Sequence, residues 1–386
     1  MKKKLIAVMV AASMTASLAA CGSSAGTTTT TGAAETTAQA AETGSAAETS
    51  AASAETTEAA KDAKETSGEM PDGTGKKIGI ITDTGGVHDG SFNQSAWEGL
   101  QRAQKDMGIE AQYLESKTDA DYIPNIEAFV DEDYDMIICV GYALADALKQ
   151  EAEANPDVQF AIIDDASLAD EPNVTSLTFE QSQASYLVGY VAGKTTKTNK
   201  VGFVLGMSTD IMNQFGYGYV AGVLDANPDA TVLQNNANSF SDTAAGKTAA
   251  TQMITNGADV IFHAAGGTGL GVIEACNEAG IWAIGVDSDQ SSLAPEHVLT
   301  SAMKRVDNAV YDVSKETVEG KLSGGVKVYS LADEGVDLAP TTNNIDPAVL
   351  SEVQEIKQQI IDGKITVPKT KEEFEAKYGN VYELDD

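Results

Sequence analysis

Residues 78–100 read IGIITDTGGVHDGSFNQSAWEGL, and the fold follows from the way this stretch changes character. The apolar run 77–82 ends at Asp83, opens into a glycine-rich turn and gives way to a helical pattern near Ser91. A strand, a tight loop and a helix in that order open a doubly wound α/β unit, whose ligands sit at the carboxyl ends of the strands. The loop presents an acid (Asp83), an aromatic (Phe92) and an amide (Asn93). That set suits a small, flat, polar ligand better than a protein or a duplex.

Working outward, short apolar runs at 77–83, 110–114, 136–141, 159–164 and 174–178 predict strands, with helical patterns at 93–105 and 144–154. After a helix at 184–194, runs at 201–207, 231–236, 260–265 and 282–287 alternate with helices at 211–225, 243–256 and 270–279. Such alternation predicts parallel sheets with helices on both faces. The pattern runs through twice and breaks near Glu180, so two similar lobes are expected. Strands at 298–303 and 326–331, with helices at 308–319 and 348–361, are too few for a third domain and are expected to complete the two sheets. The predicted partition is 76–181 plus 306–325 for the first lobe and 182–305 plus 326–386 for the second, joined by a multi-stranded hinge. A cleft between lobes is the preferred place for a small-molecule site.

Ahead of this globular part, residues 1–21 read as an export signal. Lys2, Lys3 and Lys4 form the charged start, 5–12 the apolar segment and Leu18-Ala19-Ala20-Cys21 the cleavage site. Small residues before Cys and Gly resemble a lipoprotein box, with Cys21 as the acylated N-terminus. Residues 22–75 are almost wholly Ala, Thr, Ser, Glu and Gly, too poor in apolar surface to offset chain entropy, and are expected to form a disordered tether. No later apolar run is long enough to span a bilayer.

Lys and Arg number 25 against 58 Asp and Glu, a formal net charge of −33. Phosphate backbones would be repelled, which disfavours nucleic acid as a partner. Beyond Cys21 only Cys139 and Cys276 remain, one in an apolar strand and one in a helix, and both are expected as buried free thiols. Three His and no paired Cys-x-x-Cys or His-x-x-x-His give no basis for a metal site.

Several motifs invite stronger readings. Gly189–Thr195 and Ser241–Thr248 approach the phosphate-binding loop, but the first is one residue short between its glycines and the second has Ser for the first glycine. Neither qualifies. Ala265–Gly271 (AGGTGLG) followed by Asp287 suggests a dinucleotide fingerprint, yet the glycine spacing fails in every register. The turn reads better as room for a small ligand to approach the backbone and a helix N-terminus. His88, Asp89 and Ser91 are too close along one loop to converge on a nucleophile, and helix capping by Asp89 or Ser91 is the better reading. No cofactor and no catalytic residue is expected.

SFNQSAWEG (Ser91–Gly99), AGGTGLGVIEA (Ala265–Ala275), IGVDSDQ (Ile284–Gln290) and LTSAMKR (Leu299–Arg305) closely resemble the basic membrane protein family, the lipoprotein receptors of ABC importers of the purine nucleoside type. The resemblance runs from Lys76 to about Val367. It implies a type I periplasmic-binding-protein fold that closes around a nucleoside, a permease partner, a monomeric state and a membrane anchor at Cys21. It further implies that Phe92 and Phe240 sandwich the base, that Asn93 and Asp164 bond its edge, and that Asp83, Gly266, Asp287 and Lys304 surround the ribose. Lys304 is also expected to offset the buried acids. Met207 and Phe215 are expected just behind this set. The alternatives are the same fold binding a pentose or a furanosyl signalling compound, or an enzyme that hydrolyses nucleosides.

Overall fold

The computed structural model describes residues 70–385; the expected export signal, the acylated Cys21 and the tether up to residue 69 lie outside the described residues. The first sheet contains β1 (Lys77–Thr82), β2 (Glu110–Leu114), β3 (Met136–Val140), β4 (Gln159–Ile163), β5 (Val174–Phe179) and β11 (Gly325–Tyr329). The second contains β6 (Lys200–Leu205), β7 (Thr231–Asn236), β8 (Val260–Ala264), β9 (Trp282–Asp287), β10 (Val298–Lys304) and β12 (Val336–Leu338). Their orders, β11-β5-β4-β3-β1-β2 and β12-β10-β9-β8-β6-β7, are the same arrangement used twice. All pairs are parallel except β12, which runs antiparallel to β10 at the edge.

The helices are α1 (Phe92–Met107), α2 (Tyr122–Asp131), α3 (Ala145–Ala154), α4 (Gln181–Thr195), α5 (Asp210–Ala226), α6 (Thr243–Thr255), α7 (Thr268–Ala279), α8 (Val306–Val318), α9 (Pro347–Ile361) and α10 (Lys371–Tyr378). Both faces of each sheet are covered, so the central strands are buried along nearly their whole length instead of alternating with polar residues. In β3, Ile138 and Val140 join the core that includes α1 and α8, while Ile137 and Cys139 join the core of α2 and α3. In β6, Phe203 and Leu205 face the α4–α5 side and Val204 the α6–α7 side. Successive side chains of a strand point to opposite faces, and here each face has its own helix pair. Cys139 and Cys276 are buried and free.

One expectation on the partition fails. The strand expected with the second lobe from residue 326 is β11, and it pairs with β5 from Gly325↔Thr175 to Tyr329↔Phe179 in the first sheet. Its preceding helix, α8, packs on α1. The chain has thus already returned to the first lobe at α8, β11 adds an edge strand to that lobe's sheet, and the lobe extends to Tyr329. The chain therefore crosses between lobes three times, after Phe179, after Lys304 and after Tyr329. The first and third crossings are tied together, since Phe179 and Tyr329 stack at 5.1 Å and Glu180 N–H donates to the Tyr329 carbonyl at 2.8 Å. The elements α2, β12 and α10 were not expected. Among the described residues, no helix is long and apolar enough to cross a membrane.

Candidate functional site

A cavity of about 220 Å³ lies where the carboxyl ends of the two sheets face each other, and all eight predicted ligand-binding residues line it: Asp83, Phe92, Asn93, Asp164, Phe240, Gly266, Asp287 and Lys304. Clefts for drug-sized ligands run from roughly 300 to 1,000 Å³, so this one is scaled to a small molecule. The first lobe supplies Asp83 after β1, Phe92 and Asn93 at the start of α1, and Asp164 after β4. The second supplies Phe240 before α6, Gly266 before α7, Asp287 at the end of β9 and Lys304 at the end of β10.

Local structure fixes these positions. Asp89 caps α1, its carboxylate accepting from the backbone N–H groups of Ser91 (2.9 Å), Asn93 (2.9 Å) and Gln94 (3.1 Å). Ser91 does not cap. Its hydroxyl instead crosses the cleft and donates to Asp287 at 2.5 Å. Asp164 and Asp287 both have left-handed backbones, φ 65° and 64°, where a non-glycine residue costs of order 1–3 kcal/mol. Phe240 lies against Gly206, where a Cβ would fall 2.4 Å from the ring, so the glycine is what admits the aromatic.

The polar groups are held in defined states. Asn93 Nδ2 donates to Asp83 at 2.8 Å and to Asp89 at 3.0 Å. Two carboxylates on one side of the amide settle its orientation, because only the NH₂ end can donate. Its Oδ1 is buried without a partner, and so is Oδ1 of Asp164. The other Asp164 oxygen forms an ion pair with Lys304, which is itself buried. The Lys304 ammonium also lies 5.0 Å from the Phe92 ring centroid, 5.1 Å from that of Phe179 and 5.6 Å from that of Phe215. Burial pushes the Asp83 carboxyl up to about 6, against the hydrogen bonds from Gly85 and Asn93 that favour its charge. Burial likewise raises Asp287 to about 6, while Lys304 and the Ser91 hydroxyl pull it down.

The expected separation of roles is altered at one point. Asp164 and Lys304 were assigned to opposite ends of a ligand, but they are bonded to each other. Met207 and Phe215, expected behind the site, line the cavity directly, as do Tyr122, Tyr142 and Met212. Tyr122 was invisible because α2 was not predicted, and Tyr142 stands in a short 3₁₀ turn (Tyr142–Leu144) after β3. The sequence signal available for both was an aromatic just beyond an apolar strand or a polar loop, which is weak.

With this geometry in place, comparison with known proteins is decisive. A family model described as "ABC transporter substrate-binding protein PnrA-like" matches residues 76–371. This chain belongs to the Bmp family. It is 40% identical over 329 residues to the ABC transporter nucleoside-binding protein BmpA of Lactococcus lactis, covering 80% of this chain and 92% of the relative. It is 44% identical over 314 residues to the CD4+ T-cell-stimulating antigen of Listeria innocua, covering 76% and 88%. Among solved structures, an ABC transporter solute-binding protein from Aeropyrum pernix superposes with a TM-score of 0.71 at 28% identity, over 79% of this chain and 98% of that one. The Bmp fold is thus the two-lobed architecture of ABC substrate-binding proteins.

Proposed function

We propose that this Bmp-family chain is an extracytoplasmic receptor, anchored through acylated Cys21 and carried on the tether 22–75, that captures purine nucleosides and passes them to an ABC import permease. It acts as a monomer and catalyses no reaction. One observation carries the ligand class: in a cavity that the half-buried Phe92 and Phe240 also line, Asn93 Oδ1 and Asp164 Oδ1 are buried acceptors without partners. They call for N–H or O–H donors on a flat molecule. Stacking on an aromatic is worth about 1–3 kcal/mol per face, so two rings supply roughly 2–6 kcal/mol. Micromolar binding needs about 8 kcal/mol, and hydrogen bonds to the buried acceptors supply the remainder. Sugar hydroxyls are donors suited to the carboxylates of Asp83 and Asp287.

Charge argues against nucleotides. Among the described residues, Lys304 is the only Lys, Arg or His lining the cavity, and it is already paired with Asp164 among the acids Asp83, Asp89, Asp119 and Asp287. The name of the Lactococcus relative, a nucleoside-binding protein, supports the same reading.

Calorimetric titration with guanosine, adenosine, inosine, cytidine, guanine, ribose, arabinose and guanosine monophosphate tests it. Purine nucleosides are expected to bind at micromolar concentration or below, with the free base, free sugars and monophosphate much weaker. Phe92→Ala and Asp287→Ala are each expected to cost about 1–3 kcal/mol of affinity with the fold intact. Binding of a pentose but of no nucleoside would replace the ligand class, and release of free base from guanosine would make the protein an enzyme. For the anchor, Cys21→Ala is expected to move the protein from the membrane fraction to the supernatant.

A further inference from the structure

Behind the cavity, the second lobe contains a buried polar pair that the ligand does not reach. His263, in the middle of β8 and fully buried, contacts Oε1 of Gln290 through Nε2 at 3.0 Å. The same Oε1 accepts from the Val286 N–H at 3.0 Å. An oxygen already acting as acceptor requires a hydrogen on Nε2, which leaves Nδ1 bare, and Nδ1 has no partner. Burial holds the ring neutral, its pKa pushed down to about 4. With Oε1 fixed in this way, the Gln290 NH₂ group has one direction left. It leaves the second lobe and donates to the carbonyl of Gly90, in the first lobe's loop, at 3.0 Å.

The space for this pair is built in. A Cβ on Gly269, in the first turn of α7, would lie 2.0 Å from His263 Nδ1. One on Gly285 would lie 2.5 Å from Gln290 Oε1 and from Ser301 Oγ. Gly90 is followed directly by Ser91, whose hydroxyl reaches Asp287 across the same gap. Two adjacent residues of one lobe are thereby held by two residues of the other, Gly90 by Gln290 outside the cavity lining and Ser91 by Asp287 in the cavity wall.

We propose that Gln290, oriented by His263, is a positioning residue that latches the closed lobes through the Gly90 carbonyl and so sets how long a captured ligand is retained. The inference rests on the nucleoside reading for its ligand. A latch formed only after closure acts on the escape of ligand, not on its capture, and it does not touch the groups that discriminate between ligands.

Stopped-flow kinetics with guanosine provide the test. Gln290→Met keeps the length of the side chain and removes the donor; it is expected to raise the dissociation rate about tenfold, the usual scale of one buried hydrogen bond, and to leave the association rate within about twofold. The ranking of nucleosides should be unchanged. Gln290→Glu keeps the acceptor that faces His263 and Val286 but puts an oxygen where the donor to Gly90 stood, and is expected to raise the dissociation rate in the same direction. It serves as the second variant if Gln290→Met does not fold. Unchanged dissociation rates in the folded variants, or equal slowing of association, would overturn the latch. If the wild-type protein binds no nucleoside, the ligand reading has failed instead. The latch is then read by hydrogen exchange of residues 88–92, which loses protection in Gln290→Met if the contact holds the loop and is unaltered if it does not.

Discussion

The two lobes repeat one strand order, yet they bring different chemistry to the cleft. Strands β4 and β9 hold the same place in their sheets, and each is followed or ended by an aspartate with a left-handed backbone, Asp164 and Asp287. Both acids are answered from across the cleft, Asp164 by the charge of Lys304 and Asp287 by the hydroxyl of Ser91. The first lobe lines the cavity with Asp83, Asp89, Asp119 and Asp164 and no cation; the second adds Asp287 and Lys304. The scaffold is repeated while the charges divide unequally: the cation comes from the second lobe and pairs with one acid of the first. Joining the lobes is therefore an electrostatic event as well as a steric one.

The sharpest break of this contrast is Lys304→Met. Removing one partner of a buried pair leaves an uncompensated charge and costs about 3–5 kcal/mol. Because the partners come from different lobes, calorimetry should register the loss as nucleoside affinity, by roughly 10²–10³-fold, along with a lower unfolding temperature. Ser91→Ala, which removes a dipole instead of a charge, should cost only about 0.5–1.5 kcal/mol. Equal losses in the two variants would erase the distinction between the two aspartates.

The lobes also differ in how their helices meet. In the second lobe α4 and α5 touch backbone to backbone: a Cβ on Gly218 would lie 2.1 Å from the Ser182 carbonyl oxygen, and one on Gly222 2.1 Å from that of Tyr186. In the first lobe such closeness occurs between α1 and α8, where a Cβ on Gly99 would lie 2.3 Å from the Asp307 carbonyl oxygen, while α2 and α3 contribute large side chains, Tyr122, Phe129 and Leu148, to the core they cover. Gly222→Ala should thus destabilise the protein by about 1–3 kcal/mol through overpacking, read as a lower denaturant midpoint. An unchanged midpoint would mean that the helices separate freely and that the contrast in packing carries no energy.

Much of this was legible because the signals were local. Alternating apolar runs and helical patterns identified β1 through β11, and the loop 83–93 pointed to the site before any element was placed. Asp164 and Lys304 came from the resemblance, since nothing in their immediate neighbours marks them. β11 went to the wrong lobe because its residues carry no statement of which edge they join; only the partner strand β5 decides that. β12, with three residues, is too short for a periodic signal, and α2 contains Pro124 and reads as a loop. The pairing of Asp164 with Lys304 was hidden for the same reason as β11, being a contact made across 140 residues of chain.

The finest test concerns pH, since each lobe contributes one carboxyl raised to about 6, Asp83 from the first and Asp287 from the second. If a bound sugar donates to both, binding requires them ionised. Below pH 6 they hold protons that binding must release, so affinity should fall between pH 7 and pH 5, about tenfold for each carboxyl. Stability should move the other way. A carboxyl whose folded pKa lies above its unfolded value stabilises the fold when protonated, and that contribution is lost as pH rises through 6. Lowering the pH from 7 to 5 should then raise the contribution of these two groups to stability while weakening the ligand. Asp83→Asn and Asp287→Asn should each remove about half of both pH slopes, measured by calorimetry and by denaturant unfolding without ligand. If one variant abolishes a slope entirely and the other leaves it intact, only one lobe supplies an acid to the ligand, and the division of charge between the lobes is more lopsided than the paired aspartates suggest.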